Sequence, residues 1–210
     1  MQRPSGGWAA ILSHKISVMN FNDYLNYTLD ALRSVDSEEV SGLIDMLFAA
    51  YQQGSTVFVI GNGGSAANAS HFAQDLAKGT LAAPDQQKRL RAMSLTDNLP
   101  FFSALANDEG YDSVFVQQLR TYANQGDLLI AISGSGNSPN ILNAVHHANA
   151  NGMKTVGITG FNGGTLREIA HSGVHVQLDD MCTSESIHSV VFHYVILQLQ
   201  ERIAAEQSVV

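Results

Sequence analysis

The chain has 210 residues, 45% of them hydrophobic and only 14% charged. This suits one α/β domain with a substantial core, and so few charges point to surface shared between subunits. A net charge of −8 with scattered Lys and Arg excludes a nucleic-acid surface built from bulk charge, the single cysteine excludes an intrachain disulfide framework, and no apolar run approaches the ~20 residues of a membrane span.

Residues 1–18 carry one early Arg and a short apolar patch, WAAIL, but no signal-peptide core. They read as a flexible leader, and with a lone cysteine the expected compartment is the cytoplasm. Residues 19–53 read as two helices, with apolar residues recurring at three- and four-residue steps (Tyr24, Leu25, Leu29, Leu32, then Val40, Leu43, Ile44, Leu47) and a break at Ser34–Ser37. Residues 54–210 alternate strand and helix. Strands are expected at 56–60 (TVFVI), 90–95, 127–133 (DLLIAIS), 154–159 (KTVGIT) and 174–178 (VHVQL). Helices are expected at 66–78, 98–107, 111–124, 139–151, 165–171 and 184–205. Nearly continuous apolar strands separated by helices imply a parallel sheet covered on both faces, here a flavodoxin-like, doubly wound, five-stranded sheet with its ligand site beyond the carboxyl ends of the strands.

Two strand exits resemble each other. GSTVFVIGNGGSAANA (54–69) and GDLLIAISGSGNSPNI (126–141) both run from a buried strand into Gly, Ser and Asn before a helix. Helix starts leave backbone N–H groups unpaired and carry partial positive charge, so glycines that allow close approach and serines that donate can hold a phosphate without a cationic side chain. The other reading is a pair of tight turns with Ser65 and Ser138 as helix caps. The first loop lacks the Lys-Ser/Thr of a Walker loop. It is also a near miss for the dinucleotide pattern, with no acidic residue ending the second strand and Asp97 about two residues beyond it, so no nucleotide cofactor is expected.

GNGGSAANASHFAQDL followed by AISGSGNS, with ANDEGYDSVF and GMKTVGITGFNGG in order, resembles the sugar isomerase (SIS) domain family, and within it the phosphoheptose isomerases. The resemblance covers about residues 21–203. It implies a ketol-isomerase acting on a small phosphorylated sugar, sedoheptulose 7-phosphate above all, and a homotetramer with active sites between subunits. It puts Ser65, Ser133, Ser135 and Ser138 on the phosphate, with Asn62 and Gly63 in the first loop, and places Asp97 on an acidic residue that touches the sugar. Relatives with this fold include adaptors such as the DnaA initiator-associating protein, so a non-catalytic binder is the alternative, as is an isomerase of another sugar phosphate.

Aldose–ketose isomerisation needs a base for a carbon-bound proton and a group that moves protons between oxygens. His71 and Asp75 lie four apart on one helix face. The resemblance makes His71 a metal ligand, Asp75 the equivalent of a catalytic, metal-binding glutamate, and His193 a catalytic histidine. Glu185 stands where the phosphoheptose isomerases usually have glutamine and is, beside Asp75, the second candidate for the base. His71, Asp75, Glu185 and His193 are a reasonable zinc set, but residues 185 and 193 are ~12 Å apart along a continuous helix. One ion meets both only if Glu185 lies at a distorted helix entrance or chains interleave. Without the resemblance, Glu185 reads as a first-turn carboxylate behind caps at Thr183–Ser184, and His193 as a core histidine. His146, His147, His171 and His175 read as structural, and His188 as a neighbour of His193 with no clear role.

Overall fold

The structure, a computed structural model, describes residues 19–81 and 87–207, so the leader expected at 1–18 lies outside the described residues. Helix α1 (Phe21–Arg33) is capped by Asn20, and α2 (Ser37–Gln53) by Asp36, each accepting a first-turn amide. Five strands follow: β1 (Thr56–Gly61), β2 (Arg91–Ser94), β3 (Leu128–Ser133), β4 (Lys154–Thr159) and β5 (Ser172–His175). They are linked by α3 (Gly64–Gln74), α4 (Leu99–Asp108), α5 (Val114–Tyr122), α6 (Pro139–Ala150) and α7 (Gly164–Ile169), and α8 (Met181–Gln207) closes the chain. All pairings are parallel and the order is β2-β1-β3-β4-β5, the flavodoxin-like order expected. The order reverses between β1 and β3, so their exits straddle the switch point where such sheets bind ligands.

Both sheet faces are covered because strand side chains alternate. Val57 and Val59 of β1, with Leu128, Ile130 and Ile132 of β3, pack under α2, α3 and α8. Phe58, Ile60, Leu129 and Ala131 point the other way, into a core with α4 to α7. Helix α2 is integral to the first layer through Leu43 and Leu47, both fully buried. Helix α1 has no buried residue and leaves Phe21, Leu25 and Leu29 exposed. Among the described residues no helix is long and apolar enough to cross a membrane.

Three local expectations differ from the structure. The fifth strand is earlier than 174–178: Val176 still donates to the Thr159 carbonyl, but the Leu178 amide turns back to Val176 and the chain leaves the sheet. The last helix starts at Met181, and its start is held by Asp180, which accepts from the Cys182 amide and the Thr183 hydroxyl. Thr183 and Ser184 are therefore buried inside the helix and are not caps, and Glu185 lies beyond the first turn. The helix after β1 does not run evenly to Lys78, because a π-helical turn, Asp75–Gly79, replaces its end. Such turns often occur at functional sites.

Candidate active site

Two regions of candidate chemistry lie along one helix pair. Helices α3 and α8 run parallel and in register. Near their starts Ser65 and Asn68 meet Glu185, midway Phe72 stacks on Phe192 at 4.2 Å, and further on Gln200 donates to the Gly79 carbonyl. The starts face the switch point, and the later turns carry the histidines.

At the starts is a cleft of about 240 Å³ lined by the loops after β1 and β3 together with Met181 and Glu185 of α8. It brings together Asn62, Gly63, Ser65, Ser133, Ser135 and Ser138, all expected from sequence, and contains no Lys or Arg. Gly63 enters α3 with φ 56° and ψ −124°, a conformation that disfavours any side chain. Gly61 passes so close to the Ser65 carbonyl that a Cβ would overlap it. Ser138 is the N-cap residue of α6 and Ser65 lies inside α3, but neither side chain bonds a first-turn amide. The Ser138 hydroxyl lies 3.4 Å from that of Ser133, while Ser65 donates to Glu185 Oε1 at 3.4 Å. Burial pushes the Glu185 carboxyl above its ordinary range, opposed by hydrogen bonds from the Ser65 hydroxyl and amide.

The two loops are tied to each other and to the rest of the sheet edge. Asn62 and Asn140 exchange amide hydrogen bonds at 2.9 Å in both directions, and the Tyr111 hydroxyl donates to Asn62 Oδ1 at 2.8 Å. On the far side the Gly160 amide donates to the Gly134 carbonyl and the Leu166 amide to that of Gly136, each at 2.9 Å. Sequence reasoning missed Asn140 and Tyr111. Nothing local marks them, since an Asn after Pro139 reads as first-turn polarity, and only the fold puts it against Asn62.

Further along α3 and α8, His71, Asp75 and His193 converge, with one ligand atom from each lying within 4.8 Å of the others. Asp75 Oδ2 is 3.3 Å from His71 Nε2 and 3.8 Å from His193 Nε2, and the imidazoles meet edge-on at 5.1 Å. The side chains of His71 and His193 are 53% and 57% exposed. This overturns the reading of His193 as a core histidine: it sits on the open face of α8, opposite Val191, Phe192 and Val195, which turn inward. Two imidazoles and a carboxylate fit three zinc positions. Glu185 is not in that group. Helix α8 runs unbroken from Met181, so the distorted entrance that would let Glu185 share an ion with His193 is absent from the single chain.

The remaining candidates are placed elsewhere. Asp97 does not line the cleft; it accepts from the hydroxyls of Ser70 and Thr96 at the exit of β2. His188 is the true core histidine, fully buried, with Nε2 at 3.2 Å from the Thr159 carbonyl and Nδ1 without a partner. His171 and His175 bond Thr155 and Thr159 across neighbouring strands, in keeping with structural roles.

Known proteins share this architecture. The family model described as "SIS domain" matches residues 20–160. A probable phosphoheptose isomerase of Thermoplasma acidophilum is 34% identical over 184 residues, 88% of this chain and 100% of that protein. The phosphoheptose isomerase of Aliarcobacter butzleri is 38% identical over 148 residues, 70% of this chain and 76% of its own. The solved phosphoheptose isomerase of Neisseria gonorrhoeae superposes with a TM-score of 0.77 at 26% identity, covering 85% of this chain and 95% of that one. With its two-loop cleft at the β1/β3 switch point and these relatives along most of its length, the chain belongs to the SIS-domain family, among the phosphoheptose isomerase-like members.

Proposed function

We propose that this chain is a ketol-isomerase that interconverts sedoheptulose 7-phosphate and a manno-heptose 7-phosphate. The observation that carries the reading is the arrangement on α3 and α8: a cation-free Gly/Ser cleft at the helix starts, then Asp75 between two imidazoles further along. The names of the relatives agree with it. Backbone amides, the helix dipole and hydroxyls of Ser133, Ser135, Ser138 and the first loop hold the phosphate. His71 is seven residues from Gly64, ~10 Å along α3, so a ligand anchored at the loops extends toward the cluster.

There Asp75 is the base that takes the proton from the carbon beside the carbonyl. The electron pair left on that carbon is delocalised into the carbonyl as an enediolate, His193, beside the same carboxylate, moves the second proton between the two oxygens, and Asp75 returns its proton to the neighbouring carbon. His71 fixes Asp75 from the other side. The three residues also suit a zinc ion, which when bound would polarise the substrate carbonyl. Asp75 is one methylene shorter than the glutamate the resemblance puts there, and it opens the π-helical turn.

We assign residues 19–53 to subunit contacts through the outer face of α1, in a cytoplasmic homotetramer, while α2 also serves the core of the SIS domain. The support is an apolar surface on α1 (Phe21, Leu25, Leu29) and α8 (Val190, Tyr194, Leu197) that the single chain leaves exposed. The half-open histidine cluster would then be closed by a neighbouring subunit, which also offers Glu185 a route to the zinc set. Incubation of the purified protein with sedoheptulose 7-phosphate should yield the aldose, with loss on chelation and recovery on adding zinc. No turnover of any heptose, hexose or pentose phosphate refutes the reading and leaves a non-catalytic binder.

A further inference from the structure

The cleft does not offer an anion two equal walls. One wall carries Ser133, Ser135 and Ser138; the other carries the Glu185 carboxylate, with no lining cation between them. Glu185 is seated on the first turn of α3, where it accepts from the Ser65 hydroxyl at 3.4 Å. It lies so close over Gly64 that a Cβ there would fall within the carboxylate. An internal anion thus already stands over the start of α3, one fixed on α8 by that helix's packing along α3. In a cleft of about 240 Å³ its charge also opposes a second anion. Nothing comparable sits on the other wall, where the Ser133 and Ser138 hydroxyls face each other.

We propose that Glu185 is the specificity-determining residue of this cleft: it engages Ser65 at the start of α3, biases the ligand's phosphate toward the Ser133–Ser138 loop, and accepts hydrogen bonds from hydroxyls on the ligand's carbon chain. The two loops then divide the ligand between them, although their sequences look alike. A carboxylate accepts and does not donate, so it rewards a polyol and repels a phosphate dianion. A glutamine in its place would carry an NH₂ able to serve either end, and would discriminate less. The site therefore favours the phosphate monoester of a polyhydroxylated chain over inorganic phosphate. This rests on the anion-cradle reading above.

Calorimetry on the full chain tests it with two probes: inorganic phosphate, and the heptitol 7-phosphate made by reducing sedoheptulose 7-phosphate, which cannot isomerise. In Glu185→Gln, inorganic phosphate should bind about tenfold tighter, because one repulsion is removed. The preference for heptitol phosphate over phosphate should fall by at least that factor. Ser138→Ala should weaken both probes by about tenfold. Ser65→Ala should weaken phosphate binding less in the parent chain than in combination with Glu185→Gln. An unchanged preference in Glu185→Gln, or a Ser65→Ala loss equal to that of Ser138→Ala in the parent, overturns the role of Glu185 and leaves the cradle standing. Indifference of both probes to Ser138→Ala overturns the cradle itself.

Discussion

Acid should destabilise this protein through one residue in particular. His188 is fully buried under the carboxyl end of the sheet, its Nε2 on the Thr159 carbonyl and its Nδ1 facing no acceptor. Burial is the main cause that pushes its pKa down to about 4, with the nearby His175 adding to it and the Thr159 bond opposing it. Protonation would put charge on a nitrogen with nothing to receive the proton, beside Phe192. The unfolded chain takes up this proton near pH 6.5, so between there and pH 4 it binds more protons than the folded one. The stability contributed by neutral His188 is complete above about pH 6.5 and is lost as the pH falls toward the folded value. Each pH unit of the gap is about 1.4 kcal/mol, which gives about 3 kcal/mol in full. That is a large part of an ordinary domain's 5–15 kcal/mol, roughly stated. Urea denaturation at fixed protein concentration, across this pH range, should show the parent losing about 3 kcal/mol more than His188→Gln. Glutamine keeps a donor for Thr159 but has no proton to gain, so other titrating groups cancel in the difference. Parallel stability curves for the two proteins would show that His188 is solvated or paired in a way this geometry does not contain.

The site makes three further demands. Asp75→Asn should lower kcat on sedoheptulose 7-phosphate by about 10²–10⁴ while inorganic phosphate binds within about twofold of the parent, since Asp75 lies ~16 Å along α3 from the loops. Equal losses in kcat and phosphate affinity would place Asp75 in binding instead. Asn140→Ala removes both amide bonds to Asn62 and should destabilise the fold by about 1–3 kcal/mol in urea titrations, with weaker phosphate binding because the first loop loses its anchor. Gly61→Ala drives a methyl into the Ser65 carbonyl, a backbone atom that cannot rotate away. It should lower stability by about 1–3 kcal/mol, read as a drop in the thermal midpoint.

How much of this was legible in the sequence depends on how local each cause is. The sheet order followed from strand texture and from helices long enough to cross over, and β1, β3 and β4 fall where their apolar runs are. The fifth strand was misplaced because burial and sheet pairing are different things: Val176 stays in the core after the ladder has ended. The start of α8 was misplaced because Thr and Ser look like caps, whereas Asp180 three residues earlier has the geometry. The four serines of the cleft were readable because their loops repeat one device. The Asn62–Asn140 pair joins residues 78 apart, and only the closed sheet edge brings them together.

Glu185 shows where a motif read one position at a time stops being informative. By resemblance it was a candidate base or metal ligand, and by its place behind Thr183–Ser184 a helix-start carboxylate; the last of these is nearest in kind, but on the wrong helix: the start it occupies is that of α3, not of α8. The parallel packing of the two helices decides this. It sets Glu185 against Ser65 and, eight residues later, His193 against Asp75, so one helix delivers a carboxylate to the ligand's anchoring end and an imidazole to its reacting end. A glutamine at 185 can lie in the same place as easily, but it would bring no charge. The replacement of amide by carboxylate therefore changes what the cleft repels more than what it can reach, and that difference shows as a preference between ligands even when the fold is unchanged.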